Sequence, residues 1–354
     1  MVSRVYLDWN ATTPLRPEAR AAMLAAMEVQ GNPSSVHAEG RAAKAVMERA
    51  RAQVAAALGA EGADIVFTSG ATEAAALALA GRGLHCADVE HEAVLAWCSA
   101  DLPVDAGGMV AVGDPGQTAL QLANSETGVV QVLPEGLAVS DLTQGFGKLP
   151  VAFNWLGCQL GLVSAHKIGG PKGVGALVLQ RGVDVQALLR GGGQEMGRRA
   201  GTENLVGIAG FGAAAEAAAR DLAAGVWDEV AEIRNILDQA LSAFGFGTIS
   251  VGNTGSVGNS GPRLPNTLCL IAPGWKGETQ VMAMDLAGYA ISAGSACSSG
   301  KVRASRVLRA MGFDAGAAGQ AIRISLGPGV TKDAVLRFAD AWARDYSRIL
   351  ARVA

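Results

Sequence analysis

The stretch Leu160-Gly161-Leu162-Val163-Ser164-Ala165-His166-Lys167, followed by Ile168-Gly169-Gly170-Pro171-Lys172-Gly173, decides how the rest of the chain is read. An apolar run of strand length delivers a lysine into a glycine-rich turn. Desolvation lowers a lysine's pKa, and a neutral amine can form a Schiff base with a carbonyl. A lysine that merely closes a strand is the bland alternative, so its companions decide.

Working outward, short β-branched runs alternate with helical periodicity. Pro17 to Val29 and Ala42 to Leu58 place Ala, Leu and Val at helical spacing. Asp64-Ile65-Val66-Phe67-Thr68 predicts a strand that breaks into Ser69-Gly70-Ala71-Thr72-Glu73 and an alanine-rich helix, and Gly175 to Leu179 predicts another strand. Such alternation implies an α/β protein, with a mainly parallel sheet sandwiched by helices. The texture shifts near residue 225. A long helix from Trp227 to Phe244, strands at 247–251 and 267–271, a Gly/Asn/Ser-rich loop from Gly252 to Pro265 and a helix from Lys332 predict a smaller α+β C-terminal domain.

The 354 residues allow two domains; half are hydrophobic and 17% charged, enough for a sizeable core. A net charge of −3 gives no basic field for nucleic acid. Neither a secretory signal nor a charge-free apolar stretch near twenty residues is present, so the expectation is a soluble, cytoplasmic protein without membrane contact. The five cysteines include no C-x-x-C pair, and the four histidines lack H-x-x-x-H spacing, which argues against a disulfide framework or an intrinsic metal site.

Several positions invite chemistry, each with a structural alternative. The turn Ser69 to Glu73 hands a strand to a helix, where phosphate binding and ordinary capping are compatible. Asp141 and Gln144 can pair with a protonated ring nitrogen and reach a ring oxygen, as an electron-sink cofactor needs; a solvated loop is the alternative. His91, flanked by Glu90 and Glu92, is either a cap or a residue that stacks on a flat ring and handles a proton. Cys297, within Gly294-Ser295-Ala296-Cys297-Ser298-Ser299-Gly300-Lys301, has small, loop-forming neighbours, and Lys301 and Arg303 favour its thiolate. Cys86, Cys98, Cys158 and Cys269 have apolar or helical surroundings and read as structural. Arg323, within Ile322-Arg323-Ile324, needs a partner: a substrate carboxylate or a structural carboxylate.

Together these segments resemble the cysteine desulfurases of the NifS/IscS type, in the class V aminotransferase group of fold-type I pyridoxal-phosphate (PLP) enzymes. The matching blocks run nearly end to end, among them Tyr6-Leu7-Asp8, Gly31-Asn32-Pro33-Ser34-Ser35-Val36-His37, Glu90-His91, Gly147-Lys148-Leu149-Pro150, Arg198-Arg199-Ala200-Gly201-Thr202 and Ile322-Arg323-Ile324-Ser325-Leu326-Gly327. The resemblance implies a large PLP-binding domain over 14–225 and a small domain of 1–13 plus 226–354. It implies Lys167 as the cofactor-linked lysine, Asp141 facing the pyridine nitrogen, Gln144 the ring hydroxyl, and His91 stacked on the ring. Ala71, Thr72, Ser164 and His166 would hold the phosphate, with Thr202 from a partner subunit, hence a homodimer. Asn124 and Arg323 would bind L-cysteine. Cys297 would accept its sulfur for an iron–sulfur scaffold or another acceptor protein, acting at most as a transient iron–sulfur ligand.

The chain departs from the pattern at Ser125, where the family has an asparagine touching the ring oxygen; serine reaches that oxygen less well or through water. The stretch between His91 and Asp141 is short by about a helix and a strand. A selenocysteine lyase, another class V enzyme, or a catalytically weakened dimeric homologue are the competing expectations. A nucleotide-binding protein is disfavoured, because no G-x-G-x-x-G or G-x-x-x-x-G-K-[ST] opens a helix.

Overall fold

The computed structural model describes residues 4–252, 262–294 and 304–353. Cys297, Lys301 and Arg303 lie outside the described residues. In chain order the elements begin with β1 (Val5–Tyr6), α1 (Pro17–Met27), α2 (Ala38–Ala57), β2 (Asp64–Thr68), α3 (Ala71–Leu79) and β3 (His85–Cys86). They continue with α4 (Glu92–Leu95), β4 (Ser99–Ala100), β5 (Ala119–Gln121), β6 (Leu137–Asp141), β7 (Cys158–Ser164), β8 (Gly175–Leu179) and α5 (Leu205–Ala223). The remainder is α6 (Val226–Ala243), β9 (Ile249–Val251), β10 (Thr267–Ile271), α7 (Gly277–Leu286), β11 (Tyr289–Ala290), α8 (Arg306–Ala310), α9 (Ala315–Ala318), β12 (Ala321–Ser325) and α10 (Lys332–Val353).

The central sheet has the order β2-β8-β7-β6-β5. β5, β6 and β7 pair in parallel, whereas β8 is antiparallel to both β7 and β2. Four of the five strands therefore share one direction, and the sheet is mixed but mainly parallel. Alternation along each strand sorts side chains onto two faces. Ile65, Phe67, Val163, Ala176 and Val178 join one core with residues of α2 and α5, including Val54 and Phe211. Val66, Leu160, Leu162, Leu177 and Leu179 join another with Ala74, Leu77 and Ala78 of α3. Both faces are covered, which is why these strands read as near-continuous apolar runs.

The second lobe is built on an antiparallel sheet ordered β12-β10-β9, covered by α6 and α10. Trp342 and Tyr346 are fully buried there, with Trp275 stacked on Tyr346 at 5.6 Å between ring centroids. Ile322 and Ile324 of β12 point into this core, so Arg323 between them faces the other way. The N-terminus is shared between lobes: β1 pairs in parallel with β11, and residues 10–16 then run beside the Lys167 segment. Thr13 exchanges bonds there, its amide donating to His166 O at 2.9 Å and its hydroxyl to Lys167 O at 2.8 Å.

Between α4 and β5 only β4 and a single 3-10 turn (Pro115–Gln117) occur, and α4 itself has four residues. The stretch short in sequence is thus short in regular structure too. Glu195 and Met196 adopt left-handed backbone at φ 48° and 59°, a conformation that costs a non-glycine residue energy. It is held by the Glu195 carboxylate, which accepts from both Arg51 terminal nitrogens (2.9 and 3.0 Å) and from the Phe67 amide (3.0 Å).

Candidate active site

The site is assembled by register. Thr68 of β2 and Ser164 of β7 both pair with Gly175 of β8, and Asp141 at the end of β6 pairs with Leu162 of β7. The C-terminal ends of β2, β6 and β7 thereby lie along one edge, where ligands bind in open α/β sheets. Gly175 permits the closeness, since a Cβ there would lie 2.8 Å from the Gly70 backbone. The turn carrying Ala71 and Thr72 is so brought beside the segment carrying Ser164, His166 and Lys167.

Helix α3 starts at Ala71 with Gly70 as N-cap and no side-chain cap. Its first-turn amides are donors in need of an acceptor, and the dipole favours an anion. Asp141 Oδ1 accepts the Thr143 amide at 2.9 Å, which fixes the carboxylate at the strand end. Lys167 Nζ donates to Asn10 O at 2.6 Å and Ala11 O at 3.0 Å. His166 Nδ1 lies 3.2 Å from Thr12 Oγ1, and burial, then the Lys167, Lys172 and Lys148 charges, push the imidazole down to about 4. It is neutral at physiological pH.

His91 is exposed and is the N-cap of α4, its Nδ1 accepting the Ala93 amide at 3.1 Å. The capping alternative is therefore realised, and it is compatible with the other: with Nδ1 accepting, Nε2 bears the proton. Arg323 realises the structural alternative in the same way. Its Nη2 pairs with Asp8 at 2.7 Å and Nη1 donates to Ser125 O at 3.1 Å, while the buried Nε has no hydrogen-bond partner. An orphan donor on a buried guanidinium suits an incoming carboxylate.

Asn124 is buried and bonded to its own turn. Its Oδ1 accepts the Glu126 and Thr127 amides (2.9 and 2.8 Å) and its Nδ2 donates to Val89 O at 3.0 Å. These bonds shape a buried turn that presents Ser125 and Glu126, and Nδ2 keeps a second hydrogen. Gly128 closes that turn at φ +78°, its Cα side packed so that a Cβ would meet Thr267 Cβ at 2.9 Å. Thr202 lines one small cavity with Ser69 of the same chain, together with Glu195 and Arg199. Cys86, Cys158 and Cys269 are buried, and burial pushes the Cys158 thiol up to about 12. Cys98 is half-buried against the α3 core, and its pKa is lowered by a hydrogen bond from Cys86 and by Arg82.

Four participants escaped the sequence reading. Asn10 is 1% exposed and links both lobes: its Nδ2 donates to Ser125 O (3.1 Å) and Thr267 Oγ1 (2.8 Å), its Oδ1 accepts from Asn266 (3.0 Å), and its carbonyl accepts from Gln144 Nε2 (3.0 Å). Lys148 is buried beside it. Glu90 is also buried, with Oε1 on the Gln121 amide at 2.6 Å and Oε2 unpartnered; burial first, then Asp141 and Cys98, raise its carboxyl well above the usual range. Arg306 donates to Asp88 O (3.1 Å) and Glu90 O (3.0 Å), gripping the turn before His91. The blocks containing Glu90 and Lys148 were visible in the sequence, but nothing local marked these residues, or Asn10, as buried.

An uncapped helix start, a fixed carboxylate and a lysine, all at one sheet edge, define an α/β protein of the PLP-binding kind. The groups at this edge fit that cofactor: donor amides suit its phosphate, the Asp141 carboxylate can accept from a protonated ring nitrogen, and the Lys167 amine suits its aldehyde. Comparison with known proteins specifies the family. The model for aminotransferase class-V matches residues 5–99 and 117–338. A cysteine desulfurase of Cereibacter sphaeroides is 40% identical over 92% of this chain and 91% of its own. The cysteine desulfurase IscS of Dictyoglomus turgidum is 35% identical over 94% and 92%. The NifS-like protein from Rickettsia africae ESF-5 superposes with a TM-score of 0.84 at 29% identity, covering 98% of this chain and 99% of that one. The chain belongs to the class-V aminotransferases and depends on PLP. The family match breaks between residues 99 and 117, inside the shortened stretch.

Proposed function

We propose that this protein is a cysteine desulfurase, converting L-cysteine to L-alanine while its sulfur passes to Cys297 as a persulfide. The observation that carries this reading is the convergence of Lys167, Asp141 and the uncapped start of α3 at one sheet edge, with Arg323 facing it from the other lobe. Bound PLP supplies an electron sink that makes the substrate's Cα–H acidic and its Cβ–S bond labile.

The chain's own groups do the rest. Arg323 receives the substrate carboxylate through its orphan Nε, held in place by Asp8 and Ser125 O. With PLP bound, Lys167 Nζ would hold the cofactor's aldehyde and would be the group that takes the substrate's Cα proton and returns one on the way to alanine. Asp141 would keep the pyridine nitrogen protonated, and Gln144 would donate to the ring oxygen. His91 would cover the cofactor ring and handle the proton at the substrate thiol through Nε2. The Cys297 thiolate attacks the substrate sulfur: the S–S bond forms, the Cβ–S bond breaks, and cysteine plus enzyme thiol become alanine plus enzyme persulfide. Atoms balance without an external oxidant. The persulfide passes to an iron–sulfur scaffold or another thiol acceptor, and the protein works in the cytoplasm as a homodimer in which Thr202 of one subunit supports the phosphate site of the other.

Two variants test this. Cys297→Ala keeps the visible absorbance of bound PLP and releases no sulfide from L-cysteine; unchanged desulfuration would refute the assignment of the acceptor. Lys167→Ala loses both the covalent cofactor linkage, read by borohydride reduction and peptide mapping, and alanine formation.

A further inference from the structure

Lys148 is the most anomalous cation among the described residues. It is 2% exposed, yet its two bonded partners are uncharged amide oxygens: Gln144 Oε1 at 2.7 Å and Asn10 Oδ1 at 3.3 Å. Burial, then Lys167 and Arg323, push its amine well below the ordinary lysine range. A buried amine without a carboxylate is costly, and the proposed reaction gives it no step. Its geometry supplies a reason for it to be there. A primary amide has one donor end and one acceptor end, and either can face a ligand. For Gln144 the choice is made on both sides: Lys148 donates to Oε1, and Nε2 gives one hydrogen to Asn10 O at 3.0 Å. Nε2 keeps a second hydrogen to offer.

We propose that Lys148 is a positioning residue, which locks the Gln144 amide so that its N–H, and not its carbonyl, is turned to the ring oxygen of PLP. The inference rests on the cofactor reading above. It also gives the departure at Ser125 a counterpart, since a fixed Gln144 donor matters more where the neighbouring asparagine of the family is replaced by a shorter side chain.

The test reads the cofactor, not turnover. Donation to the ring oxygen makes it less basic, so it holds the proton of the lysine linkage less tightly. Lys148→Met should raise the midpoint of the pH titration of the visible absorption band by about one unit, a tenfold change in acid dissociation constant. Gln144→Leu should shift it in the same direction, and adding Lys148→Met to Gln144→Leu should then change little, because one acts through the other. Additive shifts, or a lowered melting temperature with an unmoved titration, would overturn the proposal. Lys148→Gln separates donation from charge: it keeps an N–H for Oε1 and should retain the wild-type midpoint, whereas a shift like that of Lys148→Met means that charge alone was acting. Wild-type protein that binds no PLP would refute the cofactor reading instead, a result independent of these variants.

Discussion

At the scale of single residues, the site is a set of side chains whose partners fix their protonation. His166 shows the sign. Its folded pKa, about 4, lies below the ordinary histidine value, because burial and neighbouring lysines oppose the charged form. A depressed folded pKa contributes stability above the unfolded value of about 6.5, lost as pH falls through 4. His166→Asn should flatten the acid limb of the stability profile between those pH values, measured by urea denaturation; an unchanged limb would contradict the neutral assignment. Residue chemistry was also where the sequence was most legible. Lys167, Asp141 and Arg323 stand in short, recognisable contexts; the first two follow or end neighbouring strands β7 and β6 of the central sheet, and Arg323 lies on β12 of the other. The turn-forming part of Asn124 was not legible, because it depends on amides two and three residues ahead that meet its Oδ1 only after the turn closes. Lys148 was passed over because a surface lysine and a buried one look alike until packing is known.

Elements place those residues, and here the alternation of strands and helices carried most of the fold. The strands at 64–68, 175–179 and 267–271 fall where β-branched runs end in turn residues. Helix ends were less legible. α2 begins at Ala38 rather than Ala42 because His37 caps it through Nδ1, accepting the Gly40 amide at 3.3 Å, an unusual capping residue. Helix α8 follows the segment that carries Cys297, and its first residue, Arg306, is tied to the Asp88–Glu90 turn just before His91. Ser305 adds a cap, its Oγ accepting the Leu308 amide at 3.1 Å. Arg306 thereby ties the start of α8, capped by Ser305, to the turn that precedes His91. Arg306→Ala should cost roughly 1–2 kcal/mol, two exposed-side charge-assisted bonds, and speed amide exchange at residues 88–95. Exchange unchanged there would mean that the turn is held by other contacts.

For the molecule as a whole, the N-terminal segment is the stitch between lobes. Asn10→Ala removes bonds to Ser125 O on one side and to Thr267 and Asn266 on the other, and takes an acceptor from buried Lys148. A loss of roughly 3 kcal/mol is expected, with a lower thermal midpoint; a neutral effect would place the junction elsewhere. No periodicity could reveal this, since the partners are separated by up to 257 positions along the chain. The direction of β8 was equally hidden, because an apolar run reads the same both ways. That reversal bears on how the protein comes into being. β7 and β8 are neighbours in sequence as well as in space, joined only by residues 165–174, and closing so small a loop costs little entropy. The mount of the reactive amine is therefore a local unit, able to take shape during synthesis while the arginine that will face it is still to be made.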